Sequence, residues 1–329
     1  MAHLISIICV VNDAQEETLA IPLSSINNQM GFEFDQLEVV LIDNGRYRLS
    51  DPGQFKLFSN LNIRYVDAEE VLAWEAAFNR GIDLSDGQYL LFMGPDGMLN
   101  QTSVLQSLTT AITAHPKAEL LSGLVLAQDI TRKRETVYKV GQDLTTMRGT
   151  CVKRDLLART KQRWAVMPPY SDELFSRVLT QLAGERATVD EIFYSRFTHR
   201  NVSPEVMAPA TPDLSPDWLR MIGAYLHQLQ AYDQDVYDNA VARVFIRFYT
   251  QMAGIPTSRR QALLDELQQL LAQHRAAWPQ VLRVIDQVKQ RDKSPRAPWN
   301  KWPKQFAGYV QTFDGYLTQG GVAVSQDKH

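Results

Sequence analysis

The chain is expected to be an α/β protein. It should hold a mostly parallel sheet sandwiched by helices, followed by an all-helical C-terminal region. Three observations predict this. Short, continuous apolar runs alternate with stretches whose apolar residues recur every three or four positions, as in right-handed βαβ units. Four of those runs end at once in an acidic or amide group: Asn12-Asp13, Asp43-Asn44, Asp67 and Asp96. After Pro204 the strand-like runs stop and helical stripes take over.

The chain has 329 residues, enough for one large domain plus an addition, or for two domains. Hydrophobic residues make up 45% and charged residues 22%, a soluble globular composition. A formal net charge of -3 offers no bulk basic surface for nucleic acid. The apolar run over 4–11 is too short to span a bilayer and carries no basic leader or cleavage site, so a cytoplasmic protein is expected. Cys9 and Cys151 form no Cys-x-x-Cys pair. They read as buried thiols rather than as a zinc or redox motif.

Residues 5–11 are a β-branched run ending at Asn12-Asp13, a first strand. Residues 16–28 place Leu19, Leu23 and Ile26 at helical spacing. Residues 37–42 are a second strand closed by Asp43-Asn44-Gly45, and 62–66 a third before Asp67. Residues 69–84 read as a helix with Val71, Leu72, Ala76 and Phe78 near one face. Tyr89 to Met93 is then a buried strand, stopped by Gly94-Pro95-Asp96-Gly97.

Asp96 is thus expected at the carboxyl end of an interior strand, where open α/β sheets put their ligands. A carboxylate there can hold a divalent cation, and the cation a phosphate. Pro-Asp-Gly is equally an ordinary turn tripeptide. The same two readings apply to the whole rim. Several carboxylates could bind a base, a ribose and a metal–diphosphate together, or Asp and Asn could simply favour strand-to-helix turns.

Residues 101–115 look helical, and 119–127 and 136–140 look like strands, with Arg132-Lys133-Arg134 a solvated tip between them. Pro168-Pro169-Tyr170-Ser171-Asp172-Glu173 precedes a helix over 174–183, which Ser171 or Asp172 would cap.

Past the prolines at 204, 209, 212 and 216, four helices are expected over 217–232, 235–253, 258–278 and 279–291. Their stripes are Trp218, Met221, Ile222, Tyr225 and Leu229; Val241, Val244, Phe245 and Phe248; and Leu263, Leu264, Leu267, Leu270 and Leu271. A helical bundle core explains them, and a homodimer interface would leave the same stripes. Lys289, Arg291, Lys293, Arg296, Lys301 and Lys304 surround Trp299 and Trp302. That segment reads as a solvated loop with its tryptophans folded back. The alternative is a peripheral contact with an anionic membrane face or an anionic polymer. The expected organisation is a sheet domain over 1–204, a Pro-rich linker over 205–216, a helical domain over 217–319 and a flexible tail over 320–329.

Residues 4–203 resemble a family 2 glycosyltransferase with the GT-A fold. The resemblance is carried in order by Ser6-Ile7-Ile8-Cys9-Val10-Val11-Asn12-Asp13, Leu23-Ser24-Ser25-Ile26-Asn27-Asn28-Gln29, Glu38-Val39-Val40-Leu41-Ile42-Asp43-Asn44-Gly45, Ala77-Phe78-Asn79-Arg80-Gly81-Ile82 and Gly87-Gln88-Tyr89-Leu90-Leu91-Phe92-Met93. Ile192 to Ser203, with its Tyr-x-Arg, resembles the closing strand and loop. The sequence departs from the family's proline at Val10, its tyrosine at Asn12, and its Asp-x-Asp-Asp at Gly94-Pro95-Asp96-Gly97.

The resemblance implies a nucleotide-sugar donor, a uridine diphosphate sugar by preference. It implies an inverting transfer to a cell-surface polysaccharide or teichoic-acid-like acceptor. Asp43 would recognise the base. Val10, Val11, Asn12 and Asp13 would lie against base and ribose, and Asn79 would join the nucleotide site. Asp96 and His199 would hold Mn2+ or Mg2+, and Arg196 or Arg200 the diphosphate. Residues 146–153 would run under the acceptor side. Asp172 would be the catalytic base, with Glu173 the alternative. With one carboxylate left in the metal motif, the rival expectation is a catalytically degenerate relative acting as scaffold or partner subunit.

Overall fold

A computed structural model describes residues 3–45, 49–130, 136–143, 145–197 and 214–319. His199, Arg200, the tip at 132–134 and most of the 205–216 stretch lie outside them. The chain divides into two compact units, Met1–Ala208 and Pro209–His329.

The first unit holds nine strands in one sheet among the described residues. They are β1 (Ile5–Val10), β2 (Leu37–Asp43), β3 (Ile63–Asp67), β4 (Tyr89–Met93), β5 (Gly97–Leu99), β6 (Ala118–Ile130), β7 (Thr136–Gly141), β8 (Thr150–Lys153) and β9 (Glu185–Arg196). Its helices are α1 (Glu16–Asn27), α2 (Trp74–Leu84), α3 (Val104–Ala114), α4 (Arg154–Thr160) and α5 (Ser171–Leu182).

The sheet runs β3-β2-β1-β4-β8-β6-β9-β5, with β7 added beside β6. The first four strands are parallel, and β6 and β9 pair in parallel. The pairs β4–β8, β6–β8, β6–β7 and β5–β9 are antiparallel. The sheet is therefore more mixed than the βαβ pattern predicts. Among the described residues of 94–153 there is one helix, α3, before α4. Without crossovers, successive strands can return only antiparallel.

Every residue of β1, β2 and β4 is buried, which is why these strands read as unbroken apolar runs rather than as alternation. Side chains alternate between two cores. Ile5, Ile7 and Cys9 pack with Leu19, Leu23 and Ile26 of α1 and Leu105 and Leu108 of α3. Ile8 and Val10 pack with Phe78 of α2 and with Phe175 and Leu179 of α5. The register sets Val10 against Ile42 and Cys9 against Met93. The segments after β1, β2 and β4 therefore emerge at one rim, bringing Asn12, Asp43 and Asp96 to the same end of the sheet.

Two boundaries differ from expectation for visible reasons. α2 starts at Trp74 because the Leu72 N–H donates to the Asn44 carbonyl, 2.9 Å, pinning the preceding turn to the end of β2. α5 starts at Ser171, with Tyr170 at the cap position and no side-chain cap. Ser171 Oγ instead donates to Glu75 Oε1 (2.6 Å) and accepts from the Met167 N–H (2.8 Å).

The second unit is helical among its described residues: α6 (Pro216–Gln230), α7 (Gln234–Met252), α8 (Thr257–Gln273), α9 (Trp278–Arg291), the single turn α10 (Pro298–Lys301) and α11 (Pro303–Thr318). Ser215 and Asp233 cap α6 and α7 by accepting from the Trp218 and Val236 N–H groups. The stripes read in the sequence are buried within this unit, Leu264 alone being half-exposed. Trp299 turns back on Phe306, 5.9 Å between ring centroids. Among the described residues, no helix is long and apolar enough to cross a membrane.

Candidate active site

The turn after β1 is built tightly. Val10 and Val11, expected against the base and ribose, are buried, backbone included. The Val11 N–H donates to the Ile42 carbonyl, 2.9 Å. Asn12 follows with φ 56°, a left-handed conformation that asparagine tolerates far better than the β-branched residues before it. Its Nδ2 donates to Asp13 Oδ1 at 3.3 Å, and Asp13 itself is exposed. Asn44 Nδ2 bridges Asn12 Oδ1 (3.5 Å) and the Leu72 carbonyl (3.0 Å), while Asn44 Oδ1 is buried without a partner.

Asp43 is not the open base-reading carboxylate that the resemblance implies. It is fully buried, and both its oxygens are engaged. Oδ1 accepts from the Gly45 N–H (3.0 Å), and Oδ2 from the Leu49 N–H (3.2 Å) and Tyr65 Oη (2.7 Å). It holds the loop after β2 in place. Asn79 is corrected in the same way. Its amide donates to the Trp164 carbonyl and accepts from the Trp164 N–H, each at 2.9 Å. It is a clamp on backbone, not a ligand group. Trp164 in turn stacks on Phe175 of α5 at 4.1 Å and on Phe78 at 5.1 Å.

Asp96 and Asp172 do converge. The agent is a residue the sequence reading missed, Arg148. Arg148 Nη1 donates to Asp96 Oδ2, and Arg148 Nη2 lies 3.9 Å from Asp172 Oδ2. Asp96 Oδ1 is buried and has no partner. Burial pushes the Asp172 carboxyl up to about 6, outweighing the pull of Arg148, with Asp96 adding to the rise. Burial works against the charge on Arg148, yet Asp96, Tyr194 and Asp172 outweigh it and raise the guanidinium's pKa above its ordinary value. Arg196, at the end of β9 beside β5, makes its charge felt at Asp172 and has no ion-pair partner among the described residues.

Glu173, the alternative base, is turned away from Asp172's side of the helix. It points into the unit, is only 2% exposed, and is neutralised by Arg177 one turn on, whose Nε donates at 2.7 Å. A carboxylate buried and paired in this way does not reach substrate. That leaves Asp172 as the base candidate.

At Gly97 the loss of an acid has a packing cause. A Cβ at Gly97 would lie 2.1 Å from Tyr194 Oη, and one at Gly94 would lie 2.4 Å from Asp96 Oδ1. Tyr194 is fully buried, so position 97 has no room for a second carboxylate. A cavity of about 330 Å³ runs from Met147, the neighbour of Arg148, past Asp143, Ser176 and Thr180 to Arg186 and Thr188; Asp96, Arg148 and Asp172 do not line it. Asp143 raises the Asp172 pKa further, which puts the two within electrostatic reach.

The resemblance implies a divalent ion at Asp96. The side chains as arranged do not fit one. The two carboxylates share a guanidinium: Asp96 Oδ2 is held by Arg148 Nη1, and Asp172 Oδ2 lies 3.9 Å from Nη2, so a positive charge already occupies the space between them. His199, the second expected ligand, lies outside the described residues. Among the described residues the one three-ligand cluster is His3, Glu38 and Asp86. It sits where β1, β2 and β4 begin, at the end of the sheet away from Asp96, and its groups are spent on one another. His3 Nδ1 lies 2.5 Å from Asp86 Oδ1, and Glu38 Oε1 accepts from the Asp86 N–H at 2.6 Å.

No signal in the sequence marked Arg148. It is one basic residue in a turn, and its partners lie far away along the chain.

Residues 6–165 match the sequence profile described as Glycosyl transferase family 2. No curated protein matches the sequence. Among solved structures, S. aureus TarS 1-349 in complex with UDP superposes with a TM-score of 0.63 at 15% identity, covering 97% of this chain and 92% of that one. The same TarS segment in complex with UDP-GlcNAc gives 0.62 at 15% identity with the same coverage. The longer S. aureus TarS chain gives 0.60 at 16%, covering 96% of this chain and 55% of that one. At such identities the likeness establishes the fold, GT-A with a helical C-terminal region.

Proposed function

Residues 6–165 make this chain a glycosyltransferase of family 2, and from that premise we propose an inverting transfer of a sugar from a nucleoside diphosphate to a cell-surface glycan or teichoic-acid-like acceptor. A uridine diphosphate sugar is the preferred donor, in line with the UDP and UDP-GlcNAc held by the structurally similar S. aureus TarS. The observation that carries the reading is the meeting of Asp96 and Asp172 on one guanidinium, at the rim where β1, β2 and β4 end.

In this reading Asn12 and Asp13, the accessible part of the turn after β1, receive the nucleoside, with Asn44 bracing Asn12 from below. Arg196 faces the diphosphate, since a guanidinium fork matches phosphate oxygens. Asp172 accepts the proton of the acceptor hydroxyl as its oxygen bonds to the anomeric carbon. The bond from that carbon to the diphosphate oxygen breaks, and the nucleoside diphosphate leaves with the electron pair. Attack from the face opposite the leaving group inverts the centre.

The rival scaffold reading drew on Gly94 and Gly97. Packing against the buried Tyr194 ring accounts for Gly97, which therefore no longer favours it. Calorimetry with uridine diphosphate and a donor-hydrolysis assay test the enzyme. The expected result is nucleotide binding by the wild-type protein and by Asp172→Asn, with hydrolysis lost in the variant. Hydrolysis undiminished in Asp172→Asn would remove Asp172 from the role of base.

A further inference from the structure

We propose that Arg148 is the resident cation of this site and stands where a divalent ion would otherwise sit, so that donor binding does not require a metal. Two arms of one planar guanidinium address two carboxylates, Nη1 toward Asp96 Oδ2 and Nη2 toward Asp172 Oδ2. The three side chains are exposed by 13%, 15% and 14%. They are partly exposed rather than sealed in the core. A fixed fork suits this bridging task, and a guanidinium keeps its charge at any working pH.

The backbone around Arg148 is over-determined. Gly149 has φ 69°, and a Cβ there would lie 2.9 Å from Val125 Cγ2. The Gly149 carbonyl accepts from the Gly123 N–H at 3.0 Å, and the Met147 carbonyl from the Thr150 N–H at 3.1 Å. The Arg148 N–H donates to Thr146 Oγ1 at 3.3 Å, and that hydroxyl donates to Asp143 Oδ2 at 3.2 Å. A turn held on both sides presents its side chain in one direction. Arg148 is thus built into place, not a surface arginine that has found a nearby acid.

The remaining feature is Asp96 Oδ1, buried and without a donor. With Oδ2 held by Arg148 and Oδ1 shut off from solvent, neither oxygen of Asp96 is open to an ion as the side chains are arranged.

The inference about donor binding rests on the glycosyltransferase reading. The claim about the cation does not, and the test separates them. In the full chain, free Mn2+ is followed by electron paramagnetic resonance, and uridine diphosphate binding by calorimetry in EDTA and in Mn2+. The wild type is expected to leave the Mn2+ signal unchanged and to bind uridine diphosphate alike in both buffers. Arg148→Gln frees two carboxylates. It is expected to gain a Mn2+ site, lost again in Arg148→Gln/Asp96→Asn, and to need Mn2+ for nucleotide binding by at least about tenfold. Arg148→Lys keeps a cation and should stay metal-independent.

A wild type that takes up Mn2+ at Asp96, or that binds nucleotide at least about tenfold more tightly with it, overturns the proposal. An Arg148→Gln protein that gains no Mn2+ site overturns it as well. If Arg148→Gln is poorly folded, its melting temperature should rise with Mn2+ while that of the wild type does not, and no rise counts against the proposal. If no variant binds nucleotide, the glycosyltransferase reading falls and the Mn2+ titrations still decide the role of Arg148.

Discussion

At the scale of single residues, burial sorts the acidic pair at the start of α5. Asp172 keeps a partial opening and a carboxyl held near 6, while Glu173 is turned inward and closed by Arg177. Asp172→Asn should lower the transfer rate by roughly 10²–10⁴-fold while nucleotide affinity stays within a few-fold, measured by steady-state kinetics and calorimetry. Glu173→Gln should leave that rate nearly intact and cost about 1–3 kcal/mol in denaturant unfolding, because Arg177 loses its buried partner. The pH profile carries the same signature. A base must be ionised, so kcat/KM should rise with pH, level off above about 6, and lose that limb in Asp172→Asn. The sign for stability is opposite. The folded carboxyl is raised above its unfolded value, so the native state holds its proton longer and this group destabilises the fold as pH climbs from about 4 to 6.

At the scale of elements, the base is positioned through an aromatic stack. Asn79 of α2 clamps both backbone groups of Trp164, Trp164 stacks on Phe175, and Phe175 lies one turn along α5 from Asp172. Asn79→Ala should cost roughly 1–3 kcal/mol, since it strands the Trp164 N–H and carbonyl, and should lower kcat more than it raises KM. Unfolding curves and kinetics on the folded variant check both parts. The β4–β5 corner obeys packing in the same way. Restoring an acid with Gly97→Asp should destabilise by at least about 1–3 kcal/mol and raise no activity, because Tyr194 fills the space that the new side chain needs.

At the scale of the whole molecule, two compact units divide the labour. The rim of the first carries every described group of the proposed site, while the helices of the second spend their apolar faces on one another. Hydrogen exchange with uridine diphosphate at about a hundred times its Kd should therefore slow exchange around 11–13 and the first turn of α5, with about 2.7 kcal/mol of added protection at most. Residues 216–318 should be unaffected. Protection gained chiefly in α6 to α11 would relocate the nucleotide site.

Much of this was legible along the chain. Fully buried strands must be written as unbroken apolar runs, and a strand that ends at a ligand rim must break its pattern abruptly. For that reason β1, β2, β4 and their terminal Asp and Asn residues could be read with boundaries accurate to a residue or so. Helical stripes repeat over many turns, so α6 to α9 could be read as well. The three-residue β5 is too short to carry a period, and it went unread. What local pattern cannot hold is which way a given carboxylate turns and what it meets there. Asp43 is claimed by Tyr65 and a loop, Glu173 by Arg177, and Asp96 by Arg148. The chain by itself settled the architecture and the place of the rim, because hydrophobic periodicity is a local quantity. Only the folded arrangement decided which acids remain usable, because charge pairing and desolvation depend on neighbours that sequence distance does not reveal.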